Sequence, residues 1–382
     1  MRACAHVTGL CSLDDASLDR FRVVGDPVVD QLVHQYLEQS PGELGPLCRQ
    51  LFGAPGLPKH PLVHAYMGKL AGSAAPDPEA LTAGQQLFDL YGPEVLLVLG
   101  SCALPLAYAA GNGVQVVARA RRLKDDPIRR LCDTAQMVIN VMQPGALVVG
   151  GVGWSSARKV RLIHALLRRH VQAEPARPWD EAWGTPINQE DQAGTLLTFS
   201  VGVLHGLRRM GATISAEQGD AYIRAWGAVG ELLGVDATLL PETEENATAL
   251  AARIGARQIR KTPEGEELSR HLLSAVDGLF RLPGYAASLS HFLLDDTAFG
   301  AKVAEVLAIP PPNWTSWLVR GRAAQKRGTL RLLEHVPGAK RRRSFVARHL
   351  VQRLLLLKRP DSHVPFEVPE RLKVQWRIGA HR

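Results

Sequence analysis

The chain has 382 residues, 46% of them hydrophobic, which is enough for one large core or for a core with an appendage. Its five cysteines are scattered, with no CxxC or zinc-finger spacing, so we expect a reduced, intracellular (cytoplasmic) protein. The net charge of +8 is uneven: residues 301–382 carry 18 Lys+Arg against 5 Asp+Glu, whereas the remainder carries 27 against 32. This slightly acidic body argues against a general nucleic-acid binder.

Helical periodicity dominates the chain and strand signals are scarce, so we predict an all-α fold. The predicted helices, in chain order, are 27–39, 43–52, 78–91, 94–110, 112–121, 126–143, 156–171, 187–209, 215–234, 242–259, 264–279, 298–307 and 340–358.

Two apolar segments bear on membrane association. The first 19 residues lack an apolar stretch long enough for a signal peptide. Val95–Ala110 comes nearest to a membrane span, but it is shorter than the ~20 residues needed and contains Pro105. We therefore predict a buried core helix with a break.

Several helix ends carry capping signals. Ser215 with Gln218 forms a capping-box pattern, and Thr262 and Asp77 are each followed by a proline suited to the first helical position. Gln143-Pro-Gly is predicted to end a helix. After the proline run 310–312 the composition turns basic, which predicts a helical catalytic domain over 1–309 and a basic helical extension over 310–382 that packs on it.

Spacing brings four chemically active side chains onto two neighbouring helices. Arg130 and Thr134 are four residues apart and share a helix face, as do Arg161 and His164, three residues apart. Because a short Gly-rich loop joins the two helices, we expect them to pack together. An imidazole on a helix suits a single axial haem ligand, and guanidinium groups suit haem propionates. A histidine satisfied in the core or at the surface is the commoner outcome of spacing alone, and no CxxCH motif indicates covalent haem.

The region from about Pro41 to Ile309 resembles the rubber-oxygenase catalytic domain family, which comprises latex-clearing-protein-like haem oxygenases. The resemblance rests on the order and spacing of short motifs: Ala103-Leu-Pro-Leu-Ala-Tyr108, Arg130-x-x-x-Thr134, Val160-Arg-Leu-Ile-His-Ala165, Pro186-Ile-Asn-Gln-Glu-Asp191 with Thr195 and Phe199-Ser200, and Tyr222-x-x-x-Trp226-x-x-x-Gly230.

The resemblance implies a globin-like helical core with additional helices that binds haem b and uses dioxygen as co-substrate. It implies oxidation of an apolar substrate, with oxidative cleavage of an isoprenoid double bond as the leading example. His164 then matches the iron ligand and Arg161 the arginine beside it. Arg130 and Thr134 match groups of the preceding helix, and Thr195 or Thr198 matches a further functional threonine.

Asp133 departs from the family pattern, which places a lysine immediately before the threonine matched by Thr134. An ionised aspartate cannot donate as an ammonium group does, and it repels an electron-rich oxygen ligand. Asp133 is therefore a group of the altered distal site, a solvated acid, or a structural acid that pairs with Arg130 or Arg129.

Two further segments admit two interpretations each. In Asn188–Asp191, a helix N-cap followed by acids that complement the helix terminus is favoured over a catalytic carboxylate. The basic amphipathic helix 340–358 either docks on the domain or lies peripherally on an anionic membrane. Two other functions stay open: a haem-binding protein that does not cleave alkenes, such as a sensor, and a cofactor-free helical protein of the membrane surface.

Overall fold

A computed structural model describes residues 13–39, 78–119, 127–295 and 300–333, together with positions 61, 297, 344 and 347. Within these residues the secondary structure is helical, with no strand and a single isolated β-bridge between Ala110 and Ile259. The predicted all-α fold is confirmed. The predicted helices 43–52 and 340–358, and the cap at Asp77, fall outside the described residues.

We number the described α-helices in chain order. They are α1 (Asp15–Arg22), α2 (Pro27–Gln39), α3 (Pro78–Val98), α4 (Leu104–Tyr108), α5 (Val114–Arg119), α6 (Pro127–Met142), α7 (Val152–Gln172), α8 (Gln189–Phe199), α9 (Val201–Arg209), α10 (Ala216–Leu233), α11 (Glu244–Gln258), α12 (Pro263–Phe280), α13 (Tyr285–Leu294), α14 (Gly300–Val306) and α15 (Thr315–Leu333). Short 3₁₀ turns cover Glu181–Trp183 and Ala237–Leu239.

A long apolar helical run, Leu81–Tyr108, passes through the core and is broken along its length. Helix α3 kinks at Tyr91, two residues before Pro93, and passes through one π-helical turn, Leu99–Ala103, into α4. All five residues of the π turn are buried. Among the described residues, one helical run, Leu81–Tyr108, has the length and apolar composition of a membrane span, and 61% of its most apolar window is buried within the molecule. The predicted break in a buried helix is confirmed.

The capping signals in the described region produce the expected geometry. Ser215 and Gln218 form a complete capping box, and Thr262 accepts a hydrogen bond from the backbone N–H of Gly265 at 3.1 Å. Helix α6 ends at Met142, directly before Gln143-Pro-Gly. Such local side-chain bonds replace the partners that a helix terminus lacks, so they act regardless of tertiary context.

The predicted single helix 187–209 is wrong, because the structure contains two helices that meet at Ser200. The Ser200 backbone is non-helical, with φ −99° and ψ −83°. Just before it, the Thr195 and Thr198 hydroxyls donate to backbone carbonyls of their own helix, an arrangement that bends helices.

Three described helices were not predicted: α1, α13 and α15. Helix α13 is buried along most of its length, so its sequence, YAASLSHFLL, shows no polar face and therefore no amphipathic period.

Helix packing brings together segments that are distant in the sequence. Helices α6 and α7 pack against each other, as their short connection predicts, and α7 also contacts α2 and α10. Helix α3 lies along α10, while α8 packs against α1 and α11. The inner faces of α4, α6, α7, α8, α9 and α11 leave a large cavity between them.

Candidate active site

A cavity of about 630 Å³ lies at the centre of this helical arrangement. Its volume falls within the roughly 300–1,000 Å³ typical of ligand sites. Most of its wall is aliphatic or aromatic, and Phe199 and Trp226, with ring centroids 5.5 Å apart, form part of it. A small number of polar groups interrupts this surface, as in sites that bind apolar molecules in a defined orientation.

His164 projects into the cavity from the middle of α7. Its Nδ1 atom is buried and has no hydrogen-bond partner within the described structure. Burial, together with the nearby Arg168 guanidinium, lowers the pKa of His164 to about 4. The ring is therefore neutral at physiological pH, which is the form that binds a metal ion.

Helix α6 contributes the three site residues predicted next to one another in sequence. Arg130, Asp133 and Thr134 all line the cavity, on the wall formed by the helix that packs against α7. The Thr134 hydroxyl donates to the Arg130 carbonyl at 3.1 Å, so its proton is engaged while its oxygen can still accept a hydrogen bond. The predicted pairing of Asp133 with Arg129 or Arg130 stays a prediction.

Helix α8 contributes Thr195 and Thr198, and both line the cavity. Their hydroxyls donate to the carbonyls of Asp191 and Thr195, each at 2.8 Å. The two candidates for the matched threonine therefore lie within the same wall, and the position alone does not favour one over the other.

An acidic pair at the start of α8 also reaches the cavity. Asn188 caps the helix by accepting from the Asp191 backbone N–H at 2.9 Å, which confirms the predicted N-cap. The Glu190 side chain is fully buried between Arg22 (3.0 Å) and Arg257 (2.9 Å), and Asp191 lies 3.1 Å from the same Arg22. Burial raises the pKa of Asp191 to about 6 despite the opposing effect of Arg22. Sequence reasoning missed the two arginines because each is more than 60 residues from the acids in the chain.

Arg161 is the predicted site residue that the structure does not bring to the cavity wall. Its Nε donates to Asp26 Oδ2 at 2.5 Å and its Nη2 donates to Asp26 Oδ1 at 2.9 Å. Both side chains are more than 90% buried. The guanidinium thus joins α7 to the segment before α2, and its expected place beside a cofactor stays a prediction.

The residues present are compatible with haem b. A neutral imidazole with an unpartnered buried Nδ1 faces an apolar cavity of ligand size, and Arg130 supplies a cation on the adjoining wall. An arginine suits a haem propionate because guanidinium pairs with carboxylate in two parallel hydrogen bonds. Among the described residues there is no cluster of three or more His, Cys, Asp or Glu side chains arranged to hold a bare metal ion.

Residues 65–354 match the family model described as "ER-bound oxygenase mpaB/B'/Rubber oxygenase, catalytic domain". The chain belongs to this oxygenase family. The match confirms the resemblance read from the motifs, and it extends across the predicted boundary at 309, so the division into two domains stays a prediction.

Two comparisons with individual proteins agree with this family. The rubber oxygenase of Streptomyces sp. (strain K30) is 27% identical over 180 residues, which cover 44% of this chain and 44% of that protein. The match thus spans less than half of the relative's length. The solved structure of latex clearing protein LCP in the closed state has a TM-score of 0.61 at 21% identity, covering 80% of this chain and 90% of that chain. This likeness shows the fold.

Proposed function

We propose that this protein is a haem b-dependent oxygenase of an apolar substrate, and that it cleaves an isoprenoid double bond. The observation that carries the proposal is His164, a neutral imidazole with an unpartnered buried Nδ1 that faces an apolar, ligand-sized cavity. Membership of an oxygenase family supports the use of dioxygen. The rubber oxygenase among its relatives supports an apolar substrate.

His164 would hold the haem iron, and Arg130 would pair with a propionate. When bound, haem b supplies the chemistry that activates dioxygen. In the proposed net reaction, the C=C bond breaks and each carbon receives one oxygen atom of O₂. A trisubstituted isoprene unit therefore yields one aldehyde and one ketone.

The remaining cavity residues position the substrate and exclude water. The aliphatic and aromatic wall, including Phe199 and Trp226, favours an alkene over polar competitors because burying apolar surface is favourable. The hydroxyl groups of Thr134 and Thr195 already donate their protons to backbone carbonyls, so their oxygen atoms are left to accept hydrogen bonds in the cavity wall. Burial raises the pKa of the cavity carboxyl Asp191 to about 6, so this group can hold or release a proton near physiological pH.

A second candidate function is haem binding without alkene cleavage, as in a sensor or a different oxidoreductase. Asp133 favours it, because this carboxylate lies in the cavity wall where the family pattern has a lysine. A carboxylate at this position cannot donate the hydrogen bonds that an ammonium group would donate to a bound oxygen ligand.

The first experiment is the visible absorption spectrum of purified protein supplied with haem, for wild type, His164→Ala and His170→Ala. We expect a Soret band in wild type and in the His170 variant, which changes a histidine at the far end of the same helix. The band should be lost or shifted in His164→Ala. A wild-type protein that takes up no haem would overturn the proposal.

Oxygen consumption with an isoprenoid alkene such as squalene then separates the two candidate functions. One carbonyl pair formed per O₂ consumed supports the oxygenase. Haem binding without consumption supports the second candidate, particularly if Asp133→Lys gains activity while Asp133→Asn does not.

A further inference from the structure

The side chains of two tryptophans at the start of α15 are largely exposed to solvent. The side chains of Trp314 and Trp317 are 62% and 79% exposed, and Leu318 next to them is 40% exposed. Scattered exposed aliphatic residues are ordinary in a soluble domain, whereas adjoining large apolar side chains indicate an interaction surface.

The exposure of these tryptophans follows from how α15 is attached. Val319 and Ala323, one helical turn apart, are buried against the body of the protein. The Thr315 hydroxyl contacts the Gly284 carbonyl at 3.2 Å, and Lys326 pairs with Glu94 further along the helix. With one face held in this way, the opposite face carrying Trp317 must point outward.

A second exposed apolar segment lies beside the first. Leu279 and Phe280, at the end of α12, are each 40% exposed. The ring of Phe280 is 5.0 Å from that of Tyr285, and the Asn313 side chain donates to the Pro283 carbonyl at 3.3 Å. These contacts connect the end of α12 to the residues that precede Trp314. We call the five exposed residues the tryptophan surface: Leu279, Phe280, Trp314, Trp317 and Leu318.

Arginines adjoin this surface in the chain: Arg281 directly follows Phe280, and Arg320 comes two residues after Leu318. The sequence of α15 contains no acidic residue, and Arg281 and Arg320 are exposed and form no ion pair within the described part of the chain. Asp277, two residues before Leu279, accepts from the backbone N–H groups of Gly284 and Ala286, each at 2.7 Å, so it serves as a local cap.

We propose that the tryptophan surface docks on an anionic lipid bilayer. Tryptophan rings favour the headgroup region because they are apolar with one polar edge, and arginine pairs well with phosphate. The unpaired arginines that adjoin this surface match the negative surface potential of such a membrane. This proposal stands on exposure and charge alone, independently of the haem site, and a lipid-bound position would also bring the protein to a reservoir of apolar molecules.

The test is sedimentation of the full chain with vesicles of phosphatidylcholine alone or mixed with 30% phosphatidylglycerol. We expect binding to the anionic vesicles that weakens with salt. The double variant Trp314→Ala/Trp317→Ala should reduce partitioning at least tenfold. Arg320→Gln should reduce it about fivefold, because one surface charge contributes ~1 kcal/mol to binding, which corresponds to that factor. Quenching of tryptophan fluorescence by brominated lipid should fall in the double variant, because Trp154 and Trp226 are buried and Trp179 and Trp183 are half-buried against each other.

Matched controls use exposed residues elsewhere on the protein. Val149→Ser removes a 62% exposed apolar side chain from the α6–α7 loop, and Arg169→Gln removes an exposed charge from α7; both should bind as wild type does. Vesicle binding that the tryptophan variant leaves unchanged would place the membrane contact elsewhere and overturn the proposal. Absence of vesicle binding by the wild-type protein would also overturn the proposal. This includes the outcome in which the variants change only the self-association of the protein.

Discussion

The Arg161 guanidinium donates to both carboxylate oxygens of Asp26, at 2.5 and 2.9 Å, and so anchors the helix that presents His164. Arg161 and His164 are three positions apart in α7, yet the Arg161 side chain supports the structure and the His164 side chain faces the cavity. The backbone of Gly234 passes so close that an added Cβ would lie 2.4 Å from Asp26 Oδ2, so a side chain at this position would displace the ion pair.

Arg161→Met should destabilise the cofactor-free protein by ~3–5 kcal/mol, because it leaves Asp26 charged and buried. Urea unfolding measures this, and Lys261→Met, which breaks the exposed pair with Glu266, is the control expected to cost less than ~1 kcal/mol. A variant that keeps its unfolding free energy but loses haem affinity would contradict this structural role. It would instead support the place beside the cofactor that the resemblance implies.

Gln189, the first residue of α8, connects two loops through one buried amide. Its Nε2 donates to the carbonyls of Gly25 (2.6 Å) and Gly234 (2.9 Å), and its Oε1 accepts from the Asp236 backbone N–H (2.8 Å). Gln189→Glu should cost more stability than Gln189→Leu, by ~1–3 kcal/mol, because neither side chain can donate to the two carbonyls but only the carboxylate also buries a charge beside them. Equal unfolding free energies for the two variants would contradict a cost of burying that charge.

Asp191 makes the stability depend on pH in the opposite direction from an ordinary salt-bridged carboxylate. Its folded pKa of about 6 lies above the reference of 3.8, so the folded state holds the proton more tightly between these values. Its contribution to stability is present below pH 4 and is lost as pH rises through 6. Asp191→Asn should therefore gain stability relative to wild type between pH 4 and pH 7, by ~2–3 kcal/mol. Urea unfolding at both pH values tests this, and a difference that does not change with pH would contradict it.

Gly202 marks a place where the cavity can be narrowed without disturbing the fold. It lines the cavity, and a Cβ there would lie 3.6 Å from Leu106 Cδ1, which is ordinary contact. Gly202→Ala should fold normally, whereas Gly202→Leu should lower kcat/KM for a long isoprenoid about tenfold more than for a short one. Gly227→Leu, at a helical glycine with no neighbour within 4 Å of its Cβ position, is the matched control. Equal losses for long and short substrates would contradict a size effect.

The sequence alone was sufficient for the helical class and for those features whose physical cause is local. The capping box at Ser215 and the cap at Asn188 involve residues within one helical turn, so tertiary context does not alter them. The 3.6-residue period placed Arg130 with Thr134, and the short α6–α7 connection placed His164 near both.

Only the tertiary structure decided what lies around those residues. The carboxylate of Asp26 comes from 135 positions before Arg161, and Arg22 and Arg257 reach Glu190 from 168 positions before it and 67 positions after it. Local periodicity contains no information about such partners, because they meet only when the helices pack. For the same reason, the low pKa of His164 and the high pKa of Asp191 are properties of burial in the folded protein, not of the residues' neighbours in sequence.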